Sequence, residues 1–146
     1  MIAYLDASAL VKLFLDEDGS PEVRELWESE LPVSTSAIAH TELACALAAA
    51  VRIGRLRPEE LGPSIIDGTV LWERAEVVGA DAELVAAASG LGVKHGLRAL
   101  DAIHVASVLV LVEAAPTLVS WDQAQRRAAE VEGVPVYPYG STAALR

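Results

Sequence analysis

A chain of 146 residues, 53% of them hydrophobic, carries enough apolar mass for one domain with a full core. Its formal net charge of −10 excludes broad, non-specific adhesion to nucleic acid or anionic membrane, yet leaves room for a nuclease whose acidic site is filled by metal. The lone cysteine, Cys45, excludes an internal disulfide, and no apolar run reaches the ~20 residues that span a bilayer. The longest run, Ala102 to Val112, contains His104 and lies between Asp101 and Glu113. No basic leader precedes the first apolar segment, so the expectation is a cytoplasmic protein with no membrane association and one domain over residues 1–146.

The first predicted element is a strand, Ile2–Leu5, running straight into Asp6. A short helix, Ser8–Leu15, ends near the acidic turn Asp16–Gly19. A second helix, Pro21–Ser29, starts at Ser20 with proline in its first position. Val33–Thr35 reads as a strand and Ile38–Ile53 as a long alanine-rich helix stopped by Gly54. Pro58–Trp72 is helical, with a break expected at Gly62-Pro63. Glu76–Val78 is a weaker strand and Ala82–His95 a helix weakened by Gly90 and Gly92. Leu100–Glu113 is apolar on nearly all sides and is expected to be buried. Thr117–Ser120 is a strand, Gln123–Glu132 a helix and Val134–Tyr137 a last strand. This alternation predicts an α/β fold, a parallel sheet with helices on both faces. Ligands in such folds sit beyond the carboxyl ends of the strands, where strand order reverses. Asp6 and Asp122 both follow strands, so both fall on that edge.

Most of the 21 acidic residues belong to polar helix faces or solvated turns. Four do not. Asp6 closes an apolar strand, Glu42 is the only acid in "SAIAHTELACALAAAV", Asp101 opens the most apolar helix, and Asp122 follows "TLVSW". A buried, unpartnered carboxylate is costly, and several together repel unless a cation is present. Oxygen ligands select Mg²⁺ or Mn²⁺ over zinc. Structural alternatives stay open for each residue: helix N-caps for Asp6 and Asp122, a helix-dipole role for Asp101, an ion pair with Arg98 for Glu42.

"YLDASALVKLFL", "TSAIAHTELACAL", "GLRALDAIHVASVL" and "TLVSWDQAQRRAAE" resemble the four acidic motifs of the PIN domain, in the form found in VapC-type toxins of bacterial toxin–antitoxin pairs. The resemblance runs from Ile2 to about Tyr137. It implies a three-layer α/β/α fold with a five-stranded parallel sheet and a Mg²⁺- or Mn²⁺-dependent endoribonuclease. Asp6, Glu42, Asp101 and Asp122 match the family's acids, Ser8 the small hydroxyl residue after the first, and Ser120 the hydroxyl residue before the last. Bulky Trp121 stands between Ser120 and Asp122. The implied partners are RNA, a VapB-like antitoxin and a second copy in a homodimer. An antitoxin arginine reaching Asp6 or Asp101 would account for inhibition. Helices Ser8–Leu15 and Pro21–Ser29, with Leu13, Phe14, Val23, Leu26 and Trp27, are the docking surface expected for it.

Other residues read less sharply. Ser8 either bonds Asp6 or starts its helix. Arg98 either orients Asp101 or meets RNA. Lys12 and the group Arg52, Arg55 and Arg57 read as solvated cations before they read as RNA contacts. His104, three residues after Asp101, reads as a core or supporting histidine before a metal ligand, and Cys45 as a small core residue. An aspartate-nucleophile phosphatase would need an acid at position 8, which is serine. A non-catalytic, partner-binding domain is the remaining alternative.

Overall fold

The computed structural model describes residues 1–139. Its centre is β1 (Ile2–Leu5), buried at all four positions, as a strand covered on both faces must be. It lies between β2 (Val33–Ser36) and β4 (Pro116–Val119), parallel to both, and β3 (Glu76–Val78) and β5 (Val136–Tyr137) complete a five-stranded sheet of order β3-β2-β1-β4-β5. The expected fold class, a three-layer α/β/α arrangement on a parallel sheet, is the one observed.

Among the described residues seven helices cover the sheet: α1 (Ala7–Leu10), α2 (Ser20–Glu28), α3 (Ile38–Arg52), α4 (Pro58–Arg74), α5 (Ala82–His95), α6 (Ala99–Val110) and α7 (Gln123–Val131). Strand side chains alternate between faces, and the core divides accordingly. Ala3, Leu5 and Val33 join Leu10, Val23, Leu43, Leu47 and Leu71 of α1–α4 on one side. Tyr4, Leu118 and Val136 join Leu84, Ala102, Val108 and Ala129 of α5–α7 on the other.

Several expectations are corrected. The first helix starts at Ala7, after four residues gives way to a 3-10 turn over Val11–Leu13, and so falls short of Leu15. No break occurs at Gly62-Pro63, because α4 runs through it. Gly62, Pro63 and Glu59, whose carbonyl the proline cannot bond, are all exposed there, so the lost bond falls on the solvent side of the helix. The apolar run after Asp101 ends its α-helix at Val110, with a separate turn over Val112–Ala114. Cys45 is exposed, not in the core, because the small side chains of α3 give no clear buried face to read. Lys12 is buried, not solvated: its ammonium pairs with Glu17 at 3.0 Å and sits 4.8 Å from the centre of the Trp121 ring. Among the described residues no helix is long and apolar enough to cross a membrane.

Candidate active site

Strand order reverses between β1 and β4, which pair with Leu5 beside Val119. Asp6 and Ser120 leave these neighbouring strands together, and the Asp6 N–H still reaches the Val119 carbonyl at 3.3 Å. The chain then turns into a helix on each side. Asp6 caps α1, accepting from the Ala9 N–H at 2.9 Å, and Asp122 caps α7, accepting from the Gln125 N–H at 2.8 Å.

Asp6 is only 1% exposed. Ser8 Oγ lies 2.7 and 2.9 Å from its two oxygens, and Ser120 Oγ donates to Oδ2 at 2.6 Å. Burial pushes the Asp6 carboxyl above the usual carboxylate range, and the hydrogen bonds from Ser120, Ser8 and Ala9 offset only part of that. The two serines also tie the loops together. Ser120 Oγ accepts from the Asp122 N–H at 3.0 Å, and Ser8 Oγ accepts from the Trp121 N–H at 3.0 Å.

Asp101, in the first turn of α6, is held by two cationic or amide donors. Arg98 Nε donates to Oδ2 at 3.0 Å and Gln125 Nε2 to Oδ1 at 3.0 Å. The Arg98 guanidinium also stands 3.7 Å from Asp122, and it is 83% exposed, so it spans the two acids from the solvent side. Asp101 and then Asp122 hold this guanidinium firmly in its charged form. Arg98 therefore orients Asp101, and Glu42 does not pair with it. Glu42, on the first turns of α3, instead accepts from His104 Nε2 at 2.6 Å, and His104 Nδ1 lies 2.8 Å from the Tyr4 hydroxyl. The His104 ring is turned into the core, away from a ligand's place beside Asp101. Arg52, Arg55 and Arg57 stand apart from these residues: Arg55 pairs with Glu17, and Arg57 with Glu59 and Glu60.

Three participants escaped the sequence reading. Gln125 binds Asp101, and its carbonyl oxygen is buried with no hydrogen-bond partner among the described residues. Arg126, also buried, donates to the Ser120 carbonyl at 2.8 Å and the Pro138 carbonyl at 2.7 Å, fixing the loop that carries Ser120. Tyr4 holds His104. The usable signal was position: Tyr4 shares a strand face with Asp6, and Gln125 lies one helical turn beyond Asp122.

Chemically, the site is a set of oxygen donors around one edge of the sheet, with no thiolate among them. Among the described residues no three ligating groups are already gathered about one point. The spread is bridged instead by Arg98, by Gln125 with its spare acceptor, and by the two serines.

Comparison with known proteins agrees with this architecture. The PIN domain model matches residues 3–131. Ribonuclease VapC45 and Ribonuclease VapC49, from two strains of Mycobacterium tuberculosis, are each 34% identical to the chain over 137 residues, covering 94% of it and 95% of the relative. Among solved structures, PAE2754 from Pyrobaculum aerophilum aligns with a TM-score of 0.64 at 18% identity, over 93% of this chain and 83% of its own. A toxin–antitoxin complex from Klebsiella pneumoniae aligns at 0.56 with 15% identity, over 82% of this chain and 86% of its own. Its motifs, its sheet and these relatives together place the chain in the PIN-domain family, among the VapC proteins.

Proposed function

We propose that this chain is a divalent-metal-dependent endoribonuclease, the toxin of a toxin–antitoxin pair, working as one nuclease domain. The observation that carries the reading is Asp6: a carboxylate buried where strand order reverses, with Ser8, Ser120 and the Ala9 amide all aimed at its oxygens. These donors ease the ionisation of a buried acid without making up for the water it has lost, and a cation beside it would supply the rest. The names of the relatives, both ribonucleases, support RNA as the substrate.

The residues fit a hard cation, Mg²⁺ or Mn²⁺. Asp6, Glu42, Asp101 and Asp122 would hold it, and the spare Gln125 oxygen beside Asp101 is a further acceptor that a cation or its water would satisfy. When bound, such an ion neutralises phosphate charge and lowers the pKa of water at neutral pH. The protein's part is placement. Ser8 and Ser120 fix the Asp6 rotamer, Gln125 and Arg98 fix Asp101, and the exposed Arg98 guanidinium offers a phosphate of the incoming RNA a bidentate partner.

RNA incubated with the protein and Mg²⁺ is expected to be cut at discrete positions, with cutting lost in EDTA and in Asp6→Asn. Equal cleavage by Asp6→Asn would refute the assignment. One observation favours a second reading, a partner-binding domain without catalysis: the ligating groups are not gathered about one point. No cleavage of any RNA in Mg²⁺ or Mn²⁺ by a folded protein would establish that reading.

The antitoxin proposal rests on the toxin–antitoxin complex among the fold's relatives and on the net charge of −10, which suits a basic segment. Its proposed seat is a groove of about 310 Å³ lined by Leu13, Phe14, Trp27 and Leu71, with Val23 removed from the expected surface because it is fully buried. A homodimer is proposed on the apolar side chains that α5 and α6 leave exposed, Val85, Val93 and Val110. A monomer by light scattering at micromolar concentration would refute it.

A further inference from the structure

We infer that Tyr4 and His104 are positioning residues: a one-directional hydrogen-bond relay, Tyr4 to His104 to Glu42, clamps one oxygen of Glu42 and leaves the other to face a cation.

The inference rests on the metal reading above and starts from donors and acceptors. Tyr4 and His104 are fully buried, and the contacts are short, 2.8 Å from the phenol to Nδ1 and 2.6 Å from Nε2 to Glu42 Oε2. An ionised carboxylate only accepts, so Nε2 must carry a proton. In a neutral imidazole Nδ1 is then a bare acceptor, and the phenol must donate to it. Tyr4 is suited to that task. An ordinary phenol ionises only at about pH 10, so at neutral pH the hydroxyl has a proton to donate. The neighbouring Ser107 hydroxyl does not offer a competing proton, because it is donated to the Ile103 carbonyl at 2.7 Å. The two rings meet edge-on, centres 5.9 Å apart, which fixes the imidazole's tilt as well as its tautomer.

The consequence reaches the site. Glu42 sits on α3 and His104 on α6, elements on opposite faces of the sheet, so this contact is what sets the Glu42 rotamer across the edge. Glu42 keeps some exposure, 21% for its side chain, and its Oε1 is not used by any hydrogen bond among the described residues. Without the Tyr4 proton, His104 could place its own proton on Nδ1 and turn a lone pair toward Glu42, which repels the carboxylate it now holds. Supporting partners of this kind typically change metal affinity about 10–100-fold when removed.

The test uses the full chain, freed of metal for one measurement and titrated with Mn²⁺ for the other. The ¹⁵N spectrum of His104 in the metal-free protein is expected to show Nε2 protonated and Nδ1 bare, and Tyr4→Phe is expected to erase that bias. Calorimetric titration is expected to show Mn²⁺ binding about 10-fold weaker in Tyr4→Phe. His104→Gln retains an N–H for Glu42 without needing the phenol, so it should bind Mn²⁺ better than His104→Leu, and adding Tyr4→Phe to it should change nothing further. Both nitrogens protonated in the native spectrum, or unchanged tautomer and Mn²⁺ affinity in Tyr4→Phe, would overturn the relay. Should Tyr4→Phe not fold, the native spectrum and the Gln–Leu comparison still decide. A native protein that binds no Mn²⁺ refutes the metal reading, while the tautomer bias and its loss in Tyr4→Phe judge the relay separately.

Discussion

Ser120→Ala removes one hydroxyl and the two hydrogen bonds it makes. The hydroxyl is fully buried, donates to Asp6 Oδ2 at 2.6 Å and accepts from the Asp122 N–H at 3.0 Å. Alanine keeps the volume nearly unchanged, so the effect is polar. Losing a hydrogen bond to a charged acceptor costs about 1.5–3 kcal/mol, and orphaning the partly buried Asp122 amide adds about 1 kcal/mol. A total near 3 kcal/mol follows. With an unfolding entropy of about 2.1 cal/mol/K per residue, the 146 residues give about 0.3 kcal/mol/K, so the melting temperature should fall by about 10 °C.

The pH dependence makes the prediction specific. The folded Asp6 carboxyl already titrates above its unfolded value, so the native state holds its proton more tightly, and ionisation costs stability as pH rises through that window. Removing the Ser120 donor moves the folded value higher still. The loss of stability should therefore be greater near pH 8 than near pH 5, because the ionised fraction of Asp6, which alone loses a charge-assisted bond, grows as pH rises. Urea denaturation in EDTA at the two pH values measures both numbers. A loss below about 1 kcal/mol, or one of equal size at both pH values, would show that Ser120 does not support an ionised Asp6.

Arg126→Ala should cost about 2–4 kcal/mol by denaturant titration, because it leaves the buried Ser120 carbonyl and the half-buried Pro138 carbonyl without a donor. Gly19→Ala should cost at least about 2 kcal/mol: its φ of +87° suits glycine, and an added Cβ would lie 2.2 Å from the Trp121 ring. Saturating Mn²⁺ at a hundredfold excess over its dissociation constant should stabilise the fold by about 2.7 kcal/mol, a melting shift of about 9 °C, and Asp101→Asn should shrink that shift. An unchanged melt in Mn²⁺ would argue against a native-state metal site.

The parts of the fold that the sequence displayed were those with a strong period. Ile2–Leu5 is buried on both faces, so it reads as an unbroken apolar run, and Asp6 stands out as the charge that ends it. Elements without contrast were less legible. The alanines of α3 do not distinguish a buried from an open face, and Cys45 was placed on the wrong one. A break was expected at Gly62-Pro63 because sequence does not reveal that both residues lie exposed on the helix. Lys12 was read as solvated because Glu17 and Trp121 reach it only through a turn and a distant strand end. His104 shows the limit most clearly. Its spacing from Asp101 is that of neighbours on a helix, but its partners are Tyr4 and Glu42, 100 and 62 residues away in the chain. Spacing along one helix fixes which residues are adjacent, not which other elements they face.

Asp6 and Asp122, read at the sequence level as cap or site, both cap helices, and a cap leaves room for the metal role proposed above. Each acid uses Oδ1 for the amide two positions into its helix, and that single bond fixes the carboxylate plane. Oδ2 is then aimed away from the helix: toward Ser120 for Asp6, and toward Arg98 for Asp122. A parallel strand followed at once by a helix thus places an acid at the strand's carboxyl end with one oxygen given to the helix and the other turned to side chains outside it. Two such connections leave β1 and β4, the adjacent strands where the order reverses, so these second oxygens fall on one edge of the sheet. Asparagine at either position retains an Oδ1 that can cap but presents an amide nitrogen in place of the second oxygen. The capping and charge-holding roles are therefore separable by one substitution: Asp122→Asn should leave the start of α7 intact by hydrogen exchange while weakening Mn²⁺ binding. Fraying of α7 with Mn²⁺ affinity unchanged would assign Asp122 to the helix alone.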